Sequence, residues 1–529
     1  MYLNNLHREL GAAFVMDDGW RSLASVKAAQ AQYDVWADEA ANGLLRTRPG
    51  ASAASGIETR QIVSVAAPAL FILILGLASP FAGQLLGFAG VALFLLLIGL
   101  RAAAALTPLR WAARKPLSQD ELPVITVFAP VYREASVLPQ LMRGLSAFDY
   151  PLEKLDIKII VEADDTDTFN AARALRSRHD FEIIQVPDGT PRTKPRAMNY
   201  ALNFARGEIV TVYDAEDCPH PDQLRHAAEA FAAGGRDLAC VQAPLNWYNA
   251  QHNWLTRQFA LEYATQFHAI LPFLARFGWP MPLGGTSNHF KKTILQTIGG
   301  WDAHNVTEDA DLGFRMAAAG YRSDVIEPMT TEEAPERFQP WLNQRTRWLK
   351  GHIQTWAVHM REPQDLSRGA GRAGPRILNL TLGGTVITAL LHGPVALYCL
   401  WQFTASLWGE PLHIGAMALF ASGYLAAGLC AIVGARRARV ELRLIDLLRM
   451  PLYWPLQTLA VVLALRELRL RPYFWAKTEH GFTAAPEIPC PLKSLSSSWP
   501  LPSPSSSLPP GRPALSPTRP RVRAWSPGP

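Results

Sequence analysis

Cysteine is scarce in this 529-residue sequence, and no two cysteines have the C-x-x-C spacing of a zinc or redox site. Only five are present, namely Cys218, Cys240, Cys399, Cys430 and Cys490. A disulfide framework and a zinc centre are therefore not indicated, and a reducing cytosol is the favoured compartment. An ordinary cleaved signal peptide is also not expected, because the first apolar block begins near residue 62.

Charge is sparse in two apolar blocks, near residues 62–105 and 377–466. The net charge of +6 would suit nucleic-acid binding, but the arginines and lysines cluster beside these apolar blocks. Positive-inside membrane topology explains that clustering better. We therefore expect a soluble domain bracketed by membrane segments, with the lipid bilayer as a partner and no nucleic-acid partner.

Two transmembrane hairpins are predicted, at residues 61–106 and 377–434. Each contains two apolar runs that are about long enough to cross a bilayer core of roughly 30 Å. Basic residues flank both hairpins, so the positive-inside rule puts their ends in the cytoplasm. The predicted protein is thus a multi-pass protein of the inner (plasma) membrane, and the soluble domain between the hairpins is expected in the cytoplasm.

Three further segments lie outside the hairpins. Residues 1–60 have the pattern of a polar, weakly amphipathic helix, for which a solvated or interfacial position is the default expectation. Residues 448–484 contain a short apolar run with basic flanks, which fits a fifth crossing or an interfacial or re-entrant element equally well. Residues 485–529 are rich in Pro, Ser and Arg and are predicted to be disordered.

Residues 120–360 have a different sequence pattern, in which short β-rich runs alternate with helical stretches. Strands are predicted at residues 124–128, 157–161, 182–186 and 208–213. Strands that alternate with helices predict a mostly parallel sheet with covered faces. Ligands of such sheets bind beyond the carboxyl ends of the strands, and the candidate chemistry follows the strands closely.

The strongest acidic cluster, Asp214-Ala215-Glu216-Asp217, directly follows the fourth predicted strand. Mg²⁺ and Mn²⁺ prefer oxygen ligands and usually bind one or two carboxylates together with substrate phosphate oxygens. In an extended D-x-E segment the first and third side chains point to the same side. Asp214, Glu216 and Asp217 are therefore candidate metal ligands, although a solvated acidic loop would have the same composition.

Polar residues at other strand ends and at one helix start are candidates for nucleotide binding. These candidates are Tyr132, Glu134, Asp164, Asp165, Lys194 and Asp214. Carboxylates accept hydrogen bonds from ribose hydroxyls and base N–H groups, and a lysine at a helix start can face phosphate. An Asx turn at Asp164-Asp165 and a solvated lysine explain the same residues equally well.

Two further stretches lie towards the end of this region. Thr307-Glu308-Asp309 begins a helical pattern, where negative charge is favoured for purely structural reasons and where Asp309 should have a depressed pKa. Gln344, Arg347 and Trp348 fall at i, i+3 and i+4, so they share one face of a helix. On that face, Arg347 could bind a diphosphate through its positive charge, and Trp348 could provide a flat surface for a sugar ring. A helix at a membrane interface would have a similar composition.

Taken in order, four elements resemble the D, D-x-D, T-E-D, Q-x-x-R-W series of family 2 glycosyltransferases. This family includes the membrane polysaccharide synthases that make cellulose, chitin and hyaluronan. The elements are Asp164-Asp165, Asp214-Ala215-Glu216, Thr307-Glu308-Asp309 and Gln344-Arg345-Thr346-Arg347-Trp348. The resemblance covers roughly residues 120–360. The second acid of D-x-D is Glu216, with Asp217 beside it, so which of the two ligates the metal stays open.

The resemblance implies a GT-A type α/β domain that uses a nucleoside diphosphate sugar, expected to be UDP-linked, together with Mg²⁺ or Mn²⁺. It implies inverting transfer to a growing polysaccharide or lipid-linked acceptor, with Asp309, next to Glu308, as the catalytic base. Asp164 or Asp165 would contact the uridine, and Asp214 and Glu216 would hold the metal. The implied diphosphate and acceptor contacts are Gln344, Arg347, Trp348, Gly285 and Thr286.

Two other functions are compatible with the sequence. One is a transferase that adds a single sugar to a polyprenyl phosphate. The other is a membrane receptor or scaffold on a transferase fold that has lost its activity. The Q-x-x-R-W helix and the second hairpin favour the polymer-forming enzyme, and the retained acidic motifs argue against the scaffold.

Overall fold

The computed structural model describes residues 23–176 and 180–475; the predicted tail, residues 485–529, lies outside them. The helices are α1 (Leu23–Thr47), α2 (Thr59–Ala78), α3 (Pro80–Leu106), α4 (Leu138–Ser146), α5 (Thr166–Leu175), α6 (Lys194–Ala201), α7 (Gln223–Ala233), α8 (Trp254–Thr265), α9 (Leu271–Arg276), α10 (Lys292–Thr297), α11 (Glu308–Ala318), α12 (Phe338–His359), α13 (Pro363–Ala370), α14 (Ala373–Leu378), α15 (Gly384–Ser406), α16 (Ile414–Ala438), α17 (Leu444–Tyr453) and α18 (Pro455–Leu470). The strands are β1 (Ile125–Val131), β2 (Leu155–Glu162), β3 (Glu182–Val186), β4 (Ile209–Val212), β5 (Cys218–Pro219), β6 (Leu238–Gln242), β7 (Leu245–Trp247), β8 (Asn288–Lys291), β9 (Arg322–Val325) and β10 (Thr330–Glu332).

A seven-stranded sheet forms the centre of the region between the predicted hairpins, with the strand order β3-β2-β1-β4-β8-β6-β9. The first four strands in this order run parallel, whereas β8 is antiparallel to both β4 and β6. Successive residues of β1 point to opposite faces of the sheet, so that Val127 and Phe128 belong to separate hydrophobic cores. The predicted GT-A type fold, a mostly parallel mixed sheet, is confirmed, and so are its four predicted strands.

Four helical runs in the described part of the chain are long and apolar enough to cross a membrane: Phe88–Leu106, Ala373–Ser406, Ile414–Ala438 and Leu444–Leu470. They indicate a membrane protein. α2 covers the remaining apolar segment of the first predicted hairpin. The last run joins α17 and α18 through Trp454. Its 27 residues exceed the short apolar segment seen in the sequence, so its length permits a crossing.

Residues 31–56 pack on the central domain, although the sequence led us to expect a solvated or interfacial helix. The Trp36 ring of α1 lies 5.4 Å from the Phe204 ring. After α1, Asp302 accepts hydrogen bonds from Ser52 Oγ at 3.0 Å and from the Ala53 backbone N–H at 2.6 Å. The Arg361 guanidinium donates to two backbone carbonyls of the same segment, at 2.8 Å each. These partners lie far away in the sequence, so no local pattern could have revealed the contact.

We expect the Asp302→Asn variant to loosen this attachment. A hydrogen bond to a charged group contributes roughly 1.5–3 kcal/mol, and the buried Asp302 carboxylate accepts two from this segment. Hydrogen exchange of the backbone amides of residues 49–56 should accelerate by about tenfold or more. The Asp365→Asn variant, which alters a half-exposed ion pair with Arg368, is the control. Unchanged exchange in residues 49–56 of Asp302→Asn would contradict the prediction.

Candidate functional site

The loops that follow β1, β2 and β4 meet at one edge of the central sheet because these strands are parallel. The antiparallel strand β8 brings a fourth loop to the same edge, since its first residue, Asn288, pairs with Val212 at the end of β4. A cavity of about 580 Å³ opens here. Its walls include these predicted site residues: Tyr132, Glu134, Lys194, Asp214, Glu216, Gly285, Thr286, Glu308, Asp309, Gln344, Arg347 and Trp348.

Three predicted site residues, Asp164, Asp165 and Asp217, do not line the cavity and instead fasten loops around it. The Asp165 carboxylate caps α5 by accepting from the Thr168 backbone N–H at 3.1 Å. Asp164, which is partly exposed, accepts from the Tyr132 hydroxyl at 3.1 Å. The buried Asp217 carboxylate accepts from the Asp214 backbone N–H at 2.7 Å and from a hydroxyl of the Gly285-Thr286 loop.

Asp214 and Glu216 face the cavity together, and Lys194 joins them to the neighbouring loop. The Lys194 ammonium pairs with the Asp214 carboxylate and donates to the Gly285 carbonyl at 2.7 Å. Burial, followed by the charge of Asp214, raises the pKa of Glu216 to about 8. A nearby cation would lower it again. Two cavity-facing carboxylates suit Mg²⁺ or Mn²⁺ if a phosphate supplies further oxygens. Within the described ranges, no three His, Cys, Asp or Glu residues form a complete metal site by themselves.

Asp309 lies in the first turn of α11 and is half-buried in the cavity wall. Its Oδ1 accepts from the Ala310 backbone N–H at 2.7 Å. Its Oδ2 would be only 3.2 Å from a β-carbon at Gly285, so a side chain there would crowd the carboxylate. Burial raises the pKa of Asp309, against the opposing effects of the Ala310 N–H, Lys194 and Arg347. The depressed pKa expected from the helix start is therefore wrong, because desolvation outweighs the helix terminus here.

The neighbouring carboxyl group, Glu308, is buried and titrates together with Asp309. Burial, followed by the charge of Asp309, raises the pKa of Glu308 to about 8. Lys194 and Arg347 both act to lower it. A pKa near 8 means that Glu308 is largely protonated near neutral pH.

The α12 helix presents one face to the cavity and another to the surrounding helices. The Arg345 guanidinium makes two hydrogen bonds to the Glu262 carboxylate, at 2.8 and 2.6 Å, which fixes α12 against α8. On the cavity side, Gln344 Oε1 and Arg347 Nε are buried and have no hydrogen-bond partner among the described residues. Trp348 stacks beside Tyr263, with ring centroids 6.0 Å apart. Unpaired buried polar atoms facing a cavity are what a polar ligand would satisfy.

Direct packing links α12 to the start of α11. A β-carbon at Gly351 would collide with the Thr307 side chain, so this glycine permits the close approach of the two helices. Asn305, in the preceding loop, donates to Thr355 of α12 at 2.9 Å. The helices that carry the T-E-D and Q-x-x-R-W motifs, α11 and α12, are therefore packed directly against each other.

Several cavity residues were not identified from the sequence: Arg192, Glu262, Tyr263, Glu332 and Trp475. Glu332 ends a strand of three residues, which is too short for a periodic pattern to reveal the direction of its side chain. Trp475 follows the last membrane-type helix, and its ring lies 4.4 Å from the Arg347 guanidinium. Only the folded chain brings these residues to the motif residues.

Residues 123–351 match the family model described as "Glycosyltransferase like family 2". The chain is 25% identical over 240 residues to "Probable glycosyltransferase YdaM" of Bacillus subtilis (strain 168), a match that covers 44% of this chain and 56% of that protein. It is 25% identical over 250 residues to "Cellulose synthase 1 catalytic subunit [UDP-forming]" of Komagataeibacter xylinus, covering 46% and 32% of the two chains.

A third relative acts on a lipid according to its name. "Beta-monoglucosyldiacylglycerol synthase" of Trichormus variabilis (strain ATCC 29413 / PCC 7937) is 25% identical over 242 residues, covering 45% of this chain and 51% of that protein. The matched part thus spans about half or less of each of these relatives. All three matches are close in length to the family match, which coincides with the central α/β region. The chain therefore carries a family 2 glycosyltransferase domain, at residues 123–351, as its ordered motifs predict.

Proposed function

We propose that this chain is a membrane-embedded, inverting glycosyltransferase that moves a sugar from a UDP-sugar to a growing polysaccharide or a lipid-linked acceptor. One observation carries the proposal: Asp309 shares a single cavity with Asp214, Glu216 and Arg347, which come from separate stretches of the chain. A proton acceptor, two metal-type carboxylates and a cation then surround one space. The name of the relative from K. xylinus includes the words UDP-forming, which supports UDP as the nucleotide.

The arrangement suits a single displacement at the anomeric carbon. Asp309 would accept the proton of the acceptor hydroxyl as that hydroxyl attacks, and its raised pKa makes it a better base than an ordinary aspartate. Lys194 and Arg347 would stabilise the negative charge that develops on the departing diphosphate. Asp214 and Glu216 would hold a divalent cation, whose charge would neutralise the same leaving group. One general base is sufficient for inversion.

The nucleotide would bind at the ends of β1 and β2. Tyr132 and Glu134 line the cavity there. Asp164 is partly exposed and bonded to the Tyr132 hydroxyl, whereas Asp165 is buried as a helix cap. This difference favours Asp164 over Asp165 as the residue that contacts the uridine.

The acceptor would enter from the membrane side, because the cavity continues between the apolar helices. Residues of α3, α15 and α16 line it there, among them Leu97, Thr388 and Tyr424. A polymer and a lipid-linked acceptor both fit this route. The similarity to a glucosyldiacylglycerol synthase supports a second candidate function, transfer of one sugar to a lipid. Measuring product length after labelled transfer in membrane vesicles separates the two, since only a polymerase yields a ladder of products.

The Asp309→Asn variant should lose transfer while it still binds nucleotide. Asparagine keeps the size and the hydrogen bond to the helix start but cannot accept the acceptor proton, so kcat should fall by about 10²–10⁴-fold. Transfer of label from a panel of UDP-glucose, UDP-N-acetylglucosamine, UDP-galactose and GDP-mannose measures the loss, and calorimetry with UDP measures binding. The half-exposed Asp222 supplies the control Asp222→Asn. Retained turnover in Asp309→Asn would exclude Asp309 as the base.

Removing divalent metal with EDTA should stop transfer, and two neighbouring variants should respond differently to added Mn²⁺. Glu216 faces the cavity, so Glu216→Gln should raise the Mn²⁺ concentration for half-maximal rate by about tenfold or more. Asp217 fastens the loops, so Asp217→Asn should lower the melting temperature and leave the Mn²⁺ dependence unchanged. The opposite pattern would assign the metal to Asp217.

In the pH profile of kcat/KM, the acidic limb should lie at higher pH than an ordinary aspartate would produce. A base with a raised pKa loses its proton only at higher pH, so the rate should climb with pH at values above the ordinary aspartate pKa of about 3.9. Lys194 lowers the pKa of both Asp309 and Glu308. Lys194→Met should therefore move the limb to higher pH, and Lys194→Arg should leave it nearly unmoved. A limb that shifts to lower pH in Lys194→Met would contradict this electrostatic account.

A further inference from the structure

Glu332 is a buried carboxyl residue that belongs to none of the four motifs. It ends β10, the middle strand of a small sheet with the order β5-β10-β7. Its backbone carbonyl accepts from the Tyr248 N–H at 3.0 Å, and it pairs in register with Trp247. The residue is only 7% exposed, and it lines the cavity that holds Asp309. Its backbone is thus fixed by a sheet while its side chain reaches the candidate site.

The surroundings of this carboxyl group do not supply all of its hydrogen bonds. Glu332 Oε1 is buried and has no hydrogen-bond partner in the part of the chain that the structure describes. Burial, followed by the charges of Asp217, Glu216 and Asp214, raises the pKa of Glu332 well above its usual value, and Lys194 opposes this shift. A buried acceptor without a partner is unfavourable, because it has lost its hydrogen bonds to water and gained none in the protein. A ligand that donates a hydrogen bond would remove that cost.

Aromatic side chains line the same cavity as Glu332, among them Tyr263 and Trp348. Burial, followed by the charge of Glu332, raises the pKa of Tyr263. The Tyr263 ring stacks beside Trp348 with an interplanar angle of 27° and lies 4.3 Å from the Trp247 ring. A cavity that offers both a flat aromatic surface and a carboxyl oxygen is complementary to a pyranose, because the face of the sugar ring is apolar and the hydroxyls at its edge donate hydrogen bonds.

We propose that Glu332 recognises sugar: its Oε1 accepts a hydrogen bond from one hydroxyl of the pyranose that lies beside Trp348, and it thereby helps to determine which sugar is used. This inference rests on the proposed transferase function, since it requires a sugar in this cavity. The pyranose belongs either to the donor or to the end of the acceptor. A site built to bind a hydroxyl discriminates strongly against an analogue that lacks it, so specificity is the property to measure.

The test compares the active nucleotide sugar of the four-donor panel with its monodeoxy analogues. The wild type should discriminate against one analogue, and Glu332→Leu should slow the parent sugar by about 10–100-fold while leaving that analogue nearly unaffected. In Glu332→Leu, the ratio of the rate with the parent sugar to the rate with that analogue should then approach one. Glu332→Gln preserves the side-chain volume and keeps a carbonyl oxygen as acceptor, so it should reduce the discrimination by only about 3–10-fold. The exposed Glu327 between β9 and β10 gives the control Glu327→Gln, which should keep the wild-type ratio.

Two assay formats identify which sugar Glu332 contacts. Lost discrimination in acceptor-free hydrolysis of deoxy donors assigns the donor sugar. Lost discrimination only with monodeoxy glycoside acceptors assigns the acceptor sugar. Variants that lower the rate but keep every ratio at its wild-type value, or that change only the Mn²⁺ dependence, would overturn the inference and leave the transferase intact. A wild type that turns over none of the four donors would overturn the proposed function as well.

Discussion

The burial of several carboxyl groups in one cavity is the constraint on which the rest of this site depends. The groups are Asp214, Glu216, Glu308, Asp309 and Glu332. Their mutual repulsion grows as water is excluded, so the fold must supply fixed positive charge. Lys194 does so by pairing with Asp214 while it donates to the Gly285 carbonyl, which ties the loop after β4 to the loop before β8. Removing that ammonium would leave the two loops joined by the Asp214 and Asp217 hydrogen bonds to Thr286, but without that positive charge beside Asp214.

The α12 helix connects this charged site to the membrane-type helices. Arg347 and Trp348 of this helix line the cavity. Ion pairs join the helix to its neighbours: Arg345 pairs with Glu262 of α8, and the buried Lys350 pairs with Glu467 of α18 at 3.0 Å. Gly351 also lets α12 touch the start of α11, so α12 is in contact both with α18 and with the helix that carries Glu308 and Asp309. A displacement of α18 would therefore reach these two carboxyl groups through a single helix.

Local patterns in the sequence were sufficient to predict the sheet and most of the cavity. Parallel strands necessarily gather the loops that follow them, so Tyr132 and Asp214 could be assigned to one edge of the sheet without coordinates. The roles of Glu216 and Asp217 could not be separated, because adjacent residues differ only in where the folded loop directs them. The attachment of residues 49–56 to Asp302 and the presence of Glu332 and Tyr263 in one cavity depend on the packing of distant parts of the chain, which periodicity does not encode.

The environment of Asp309 illustrates why position in a helix alone did not predict its chemistry. A helix start stabilises the anion, and the Ala310 N–H does so here at 2.7 Å. Burial opposes that effect and prevails, and it also raises the pKa of the adjacent Glu308 to about 8. With a pKa near 8, Glu308 would be largely neutral near neutral pH and would add little negative charge beside Asp309. The helix start contributes the Ala310 N–H, which holds the Asp309 carboxyl group in the cavity wall, and burial then determines the direction of its pKa shift.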